Sequence, residues 1–77
     1  MVQQYLKMIG KNIRDIRKSK KISQEKLAEL IGKSRNYVGM VERAEINVPT
    51  SMLITIAFAL KIHPKEFFNI DFELINQ

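Results

Sequence analysis

The sequence predicts an all-α domain, and three observations carry that prediction. Apolar residues recur at helical spacing in successive stretches, serines and a glycine sit where helix ends are needed, and no two runs alternate as paired strands would. Leu6, Ile9, Ile13 and Ile16 lie three or four apart, so Val2–Ser19 reads as an amphipathic helix with its cations outward. Lys20 and Lys21 end it. Ser23 is placed to cap a second helix, Gln24–Ile31, whose Leu27, Ala28, Leu30 and Ile31 are expected inside. Gly32 supplies the left-handed stop. Ser34 then caps a third helix, about 35–43, with Val38 and Val41 facing the core.

After a loop at 44–48, Pro49 suits the first position of a fourth helix, because its missing N–H is not needed there. Leu53, Ile56, Ala57 and Leu60 form that helix's inner stripe. His63 and Pro64 open a short fifth helix through Phe68, with His63 as its cap. The expected architecture is a compact five-helix domain spanning residues 1–77, with a core over about 6–68 and a tail at 69–77.

Composition narrows the function. Seventy-seven residues with 45% hydrophobic content suffice for one small core. There is no cysteine, which excludes disulfides and thiolate metal sites and fits a reducing cytoplasm. No apolar run approaches the roughly 20 residues of a membrane span, and residues 1–10 lack a signal-peptide layout, so a complete cytoplasmic protein is expected. His63 is the only histidine and lacks partners for catalysis or metal binding. No acid–base pair, nucleophile–base couple or phosphate-cradling loop can be assembled, so an enzyme is not expected, nor a metal, cofactor or small-molecule ligand.

The charge points to a polyanion. Net charge is +5, and the pI is about 9.8. Lys7, Lys11, Arg14, Arg17, Lys18, Lys20 and Lys21 face Asp15 alone across the first helix, whereas the chain turns slightly acidic after Leu60. The third helix has what reading base pairs requires: apolar residues behind, forked or short polar residues in front, and a cap at its N-terminal end. Arg35 carries the fork that matches guanine O6 and N7, and Asn36 can pair with adenine N6 and N7. Ser34 can face a phosphate from the helix start, Tyr37 can hold a phosphate through its hydroxyl, and Met40 can touch a thymine methyl. Double-stranded DNA is the expected partner.

These residues also match a family. Gly10–Arg17, Ser23–Ala28, Arg35–Val38 with Val41–Arg43, Asn47 and Pro64–Phe68 together resemble the helix-turn-helix regulators related to lambdoid repressors and Cro proteins. Within that group they look most like the small controller proteins of restriction–modification systems. The resemblance implies base contacts from Arg35 and Asn36, with Met40 a lesser one, and phosphate contacts from Gln24, Ser34, Tyr37, Arg43 and Asn47. It further implies that Arg17 and Glu42 form an ion pair tying the first helix to the third. Four positions depart from the pattern. Lys21 and Ala44 stand where glycine is usual, which predicts rerouted or mildly strained turns. Ile46 removes a basic residue, and Gly39 replaces a serine or acid, so the operator cannot be copied from a relative.

The apolar C-terminal end predicts self-association. Met52, Phe67, Phe68, Ile70 and Phe72 are candidates for a twofold interface through the fourth and fifth helices, with one of the two adjacent phenylalanines in the core and the other across the axis. The expected protein is a homodimeric, sequence-specific transcriptional regulator on a palindromic operator, controlling its own gene. For a controller protein this implies activation as well as repression, with RNA polymerase as a further partner. A phage-type repressor and the antitoxin of a toxin–antitoxin pair are the alternatives.

Overall fold

The computed structural model describes residues 2–70; Phe72, with the rest of the tail beyond Ile70, lies outside the described residues. Four α-helices follow one another: α1 (Val2–Ser19), α2 (Gln24–Ile31), α3 (Arg35–Glu42) and α4 (Thr50–Leu60), before a 3-10 turn at Pro64–Phe68. No strand occurs among the described residues. The architecture is therefore all-α with four helices, which corrects the expected five. The last segment has only five residues and starts on a proline. The Lys65 N–H is taken by His63 Nδ1 at 3.0 Å, and the Glu66 N–H by the His63 carbonyl at 3.0 Å. So short a piece closes on i→i+3 bonds without reaching the length that stabilises an α-helix.

Local chemistry sets the helix ends. Ser23 Oγ accepts from Lys26 N–H at 3.0 Å and Ser34 Oγ from Tyr37 N–H at 3.1 Å, each satisfying an amide of a first turn. Pro49 proves to be the cap of α4, just outside it, with its carbonyl accepting from Met52 and Leu53. All four helices stop on a left-handed residue: Lys21, Gly32, Ala44 and Lys61. At each, the residue beyond donates back to a carbonyl five positions earlier, as Ile22 does to Arg17 and Ile62 to Ala57. Only one stop is glycine. The turns after Lys21 and Ala44 are thus not rerouted; they keep the glycine conformation, at φ 58° in each case. A side chain in that region costs about 1 kcal/mol or somewhat more relative to glycine.

The core gathers Ile13, Leu27, Ala28, Ile31, Val38, Val41, Ile56, Ala57, Leu60 and Phe67. It is formed where α1 packs on α3 and on the 3-10 turn, and α2 packs on α3 and α4. Leu53 is only half-buried against this core. Leu30, expected inside, is 48% exposed. In an eight-residue helix the buried stripe is already filled by Leu27, Ala28 and Ile31, and Leu30 falls beside it. Asn12, which the sequence did not single out, donates from Nδ2 to the carbonyls of Phe67 and Asn69 at 3.0 and 3.2 Å, fastening the chain end to α1.

The two phenylalanines separate completely. Phe67 is fully buried within the monomer and so cannot be an interface residue, whereas Phe68 is 53% exposed. Met52 and Ile70 are half-buried. Among the described residues no helix is long and apolar enough to cross a membrane.

Candidate nucleic-acid interface

Helix α3 is clamped from behind and open in front. Val38, Gly39, Val41 and Glu42 are buried, Ser34, Arg35 and Asn36 are exposed, and Tyr37 and Met40 are half-buried. The rear clamp has two parts. One is Gly10 of α1: a Cβ there would lie 2.5 Å from the Glu42 carbonyl oxygen and 2.8 Å from that of Val41. Only glycine permits such backbone proximity.

The other part is ionic. Arg17 Nε donates to Glu42 Oε2 at 2.6 Å and Nη2 to Oε1 at 3.1 Å, with both side chains buried. The third nitrogen, Nη1, donates to the Ile22 carbonyl at 2.8 Å in the turn between α1 and α2. Gln24 Nε2 adds a bond to Glu42 Oε1 at 3.0 Å. One carboxylate therefore holds α1, α2 and α3 together. Fork geometry satisfies the buried charges, so its benefit is chiefly placement rather than net stability.

In front, a surface hollow is lined by Gln24, Arg35, Asn36, Gly39 and Arg43. A second hollow shares Gln24, Gly39 and Arg43 and continues to Arg14 and Lys18 of α1. The structure thus brings together four of the expected contact residues and joins to them two cations, Arg14 and Lys18, that the sequence offered only as members of the basic run. Their signal was present: Arg14 and Lys18 are four apart and share a face of α1. Lys11, in the same basic run, instead holds Asp15 at 2.7 Å, keeping that carboxyl below its ordinary value.

The remaining expected residues are more scattered. Ser34, Tyr37 and Met40 lie outside both hollows, as does Asn47 in the loop before α4. The Lys33 ammonium sits 5.3 Å from the centre of the Tyr37 ring, which places a cation beside the phenol. Arg35 is loosely faced by Glu25, Nε to Oε1 3.7 Å, both exposed and free to part. Gln24 has one amide hydrogen committed to Glu42, leaving the rest of its amide for an outside ligand. Arg43 is held by Glu45, with Nε and Nη2 donating to the two carboxylate oxygens at 3.0 and 3.1 Å.

Comparison with known proteins matches this geometry to a family. The helix-turn-helix family profile matches residues 13–67, most of the chain. The control protein C.SmaI of Serratia marcescens is 47% identical over 53 residues, which cover 69% of this chain and 63% of that protein. An immunity repressor of Bacillus phage phi105 is 41% identical over 54 residues, 70% of this chain and 38% of the repressor. The chain thus spans less than two thirds of the length of either relative. Among solved structures, the restriction–modification controller protein C.AhdI from Aeromonas hydrophila superposes with a TM-score of 0.79 at 44% identity, covering 82% of this chain and 96% of that one. The chain belongs to the helix-turn-helix family.

Proposed function

We propose that the protein is a sequence-specific DNA-binding transcriptional regulator of the restriction–modification controller type, acting as a homodimer on a palindromic operator that includes its own promoter. The observation that supports this most is the front of α3. Arg35 and Asn36 project from a capped helix start beside a hollow flanked by Arg14 and Lys18, while the back of the helix is fixed by Gly10 and Arg17. Base edges are read by the first two side chains, and phosphates are met by the α1 cations with Ser34, Tyr37, Asn47 and the free part of Gln24. Identity with two controller proteins supports the biological role. Likeness to a phage immunity repressor keeps a phage-type repressor as the second reading, which differs in gene context: an adjacent nuclease and methyltransferase decide for the controller.

Arg35→Ala is expected to cost about 1–3 kcal/mol on a selected duplex and much less on a scrambled one, as for a lost bidentate base contact. Titrations of both duplexes over a salt series check this, with affinity falling steeply as salt rises because cations displace counterions. Equal losses on both duplexes would make Arg35 a phosphate contact.

The homodimer is supported by large apolar side chains left exposed on α4 and on the 3-10 turn. Phe58 is 79% exposed, with Ile54 one turn before it on α4 and Phe68 at the end of the 3-10 turn packed on α4. This moves the centre of the proposed interface from the adjacent phenylalanines to the outer face of α4. Phe58→Ala is expected to shift sedimentation toward monomer at micromolar concentration, with helix content unchanged. A wild-type chain that sediments as monomer at tens of micromolar and still binds a half-site tightly would rule the dimer out.

A further inference from the structure

The Arg43 side chain is more closely arranged than a phosphate clamp needs to be. It leaves the C-terminal end of α3 and runs back one turn, so that its guanidinium lies over Gly39. A Cβ at Gly39 would meet Nη1 at 2.9 Å, Nη2 at 3.5 Å and Cζ at 3.6 Å. The glycine is thus the berth of the guanidinium. Arg35, Gly39 and Arg43 are spaced four apart and line the same hollow, so the berth lies on the stripe of α3 that carries Arg35.

Glu45 fixes the other side. Its two oxygens accept from Nε and Nη2 at 3.0 and 3.1 Å, so two of the five guanidinium hydrogens are used and the edge between Nη1 and Nη2 stays available. The pair is exposed, and its stabilising energy is small. Its effect is orientation. The adjacent carboxylate also repels a phosphate approaching the same guanidinium, whereas a neutral base edge meets no such penalty. Both titrations run in the direction of a maintained pair: Arg43 holds the Glu45 carboxyl below its ordinary value, and Glu45 raises the guanidinium.

We propose that Arg43 is a further base-reading residue, directed at a purine with paired N7 and O6 acceptors, namely guanine, and that Gly39 and Glu45 are its positioning residues. This replaces the phosphate role expected for Arg43 and rests on the DNA-binding function proposed above. It also gives a use to Gly39, which departs from the usual serine or acid of the resembled pattern.

Selection from a randomised duplex pool tests it, using the full chain and the variants Arg43→Lys, Glu45→Gln and Gly39→Ala. Lysine keeps the positive charge but lacks the fork. Alanine at 39 favours the helix and meets only the tip of a flexible side chain, and circular dichroism checks that it folds. Wild type is expected to select a symmetric site with guanine at one pair of related positions. Arg43→Lys should reduce that guanine preference about tenfold or more, with a far larger loss on the selected duplex than on a scrambled one. Gly39→Ala should weaken preference at the same positions. Glu45→Gln should weaken it too, while tightening binding to scrambled duplex because one negative charge is gone. If Arg43→Lys keeps every positional preference, or all duplexes weaken alike, Arg43 is only a phosphate contact and the assignment is overturned. If wild type selects no consensus at all, DNA reading itself fails, a result distinguishable from the loss of one position.

Discussion

Glu42→Ala is expected to remove about 3–5 kcal/mol from the stability of the domain, because it strands the buried Arg17 guanidinium without its counterion. For a small domain this is a large share of a total of roughly 5–15 kcal/mol, so much of the population unfolds at modest denaturant. The loss has several sources at one atom group. Two arginine nitrogens lose their acceptors, the Gln24 amide loses its own, and only the bond from Arg17 to the Ile22 carbonyl survives. Urea unfolding followed by helical dichroism measures it as a fall in midpoint. A double change, Arg17→Met with Glu42→Leu, should recover most of the loss, since apolar residues of similar volume replace buried ion pairs well. A double variant as unstable as Glu42→Ala would show that the hydrogen bonds to Ile22 and Gln24, rather than the stranded charge, dominate.

Phe67→Ala should be comparably severe, at about 3–5 kcal/mol, because it removes a fully buried aromatic side chain and opens a cavity in the core. Phe67 lies where α1 and α4 both meet the 3-10 turn, and its carbonyl also receives the Asn12 amide. Its neighbour gives the contrast. Phe68→Ala should change the stability of the isolated monomer by no more than about 0.5 kcal/mol, as is usual for surface positions. Unfolding at several protein concentrations separates the two residues: the Phe67→Ala loss is independent of concentration, whereas any Phe68→Ala loss grows where dimer is populated. A mild effect of Phe67→Ala would mean that α1 and α4 close over the gap.

What could be read in the sequence was what local chemistry decides. The spans of α1 and α2 follow from apolar spacing, and Ser23, Ser34, Gly32 and His63 each take the capping role their residue type suggests. At Lys21 and Ala44 the sequence left open whether the turn is rerouted or keeps a strained glycine-like backbone, because the residue type disfavours the left-handed conformation that the helix stop requires. Lys61, which gave no signal at all, takes the same left-handed conformation. The exposure of Leu30 and the division of Phe67 from Phe68 depend on which neighbour reaches the core first, a tertiary matter that spacing alone does not encode. For the candidate site, Arg35 and Asn36 could be placed because a capped helix start fixes where its first side chains point. Arg43 could not, since its direction depends on a missing Cβ at Gly39 and a carboxylate at Glu45.

The contact between Gly10 and the α3 backbone has a consequence for how such a chain can change its target. With no side chain between Gly10 and the α3 backbone, the two helices touch directly at that point, and the angle of α3 cannot be tuned by enlarging or trimming a residue there. The exposed residues on the opposite face bear almost none of the core's packing. The fold therefore works like a fixed chuck holding exchangeable bits: a new preference has to come from swapping the few side chains it presents, and those swaps leave the holder intact.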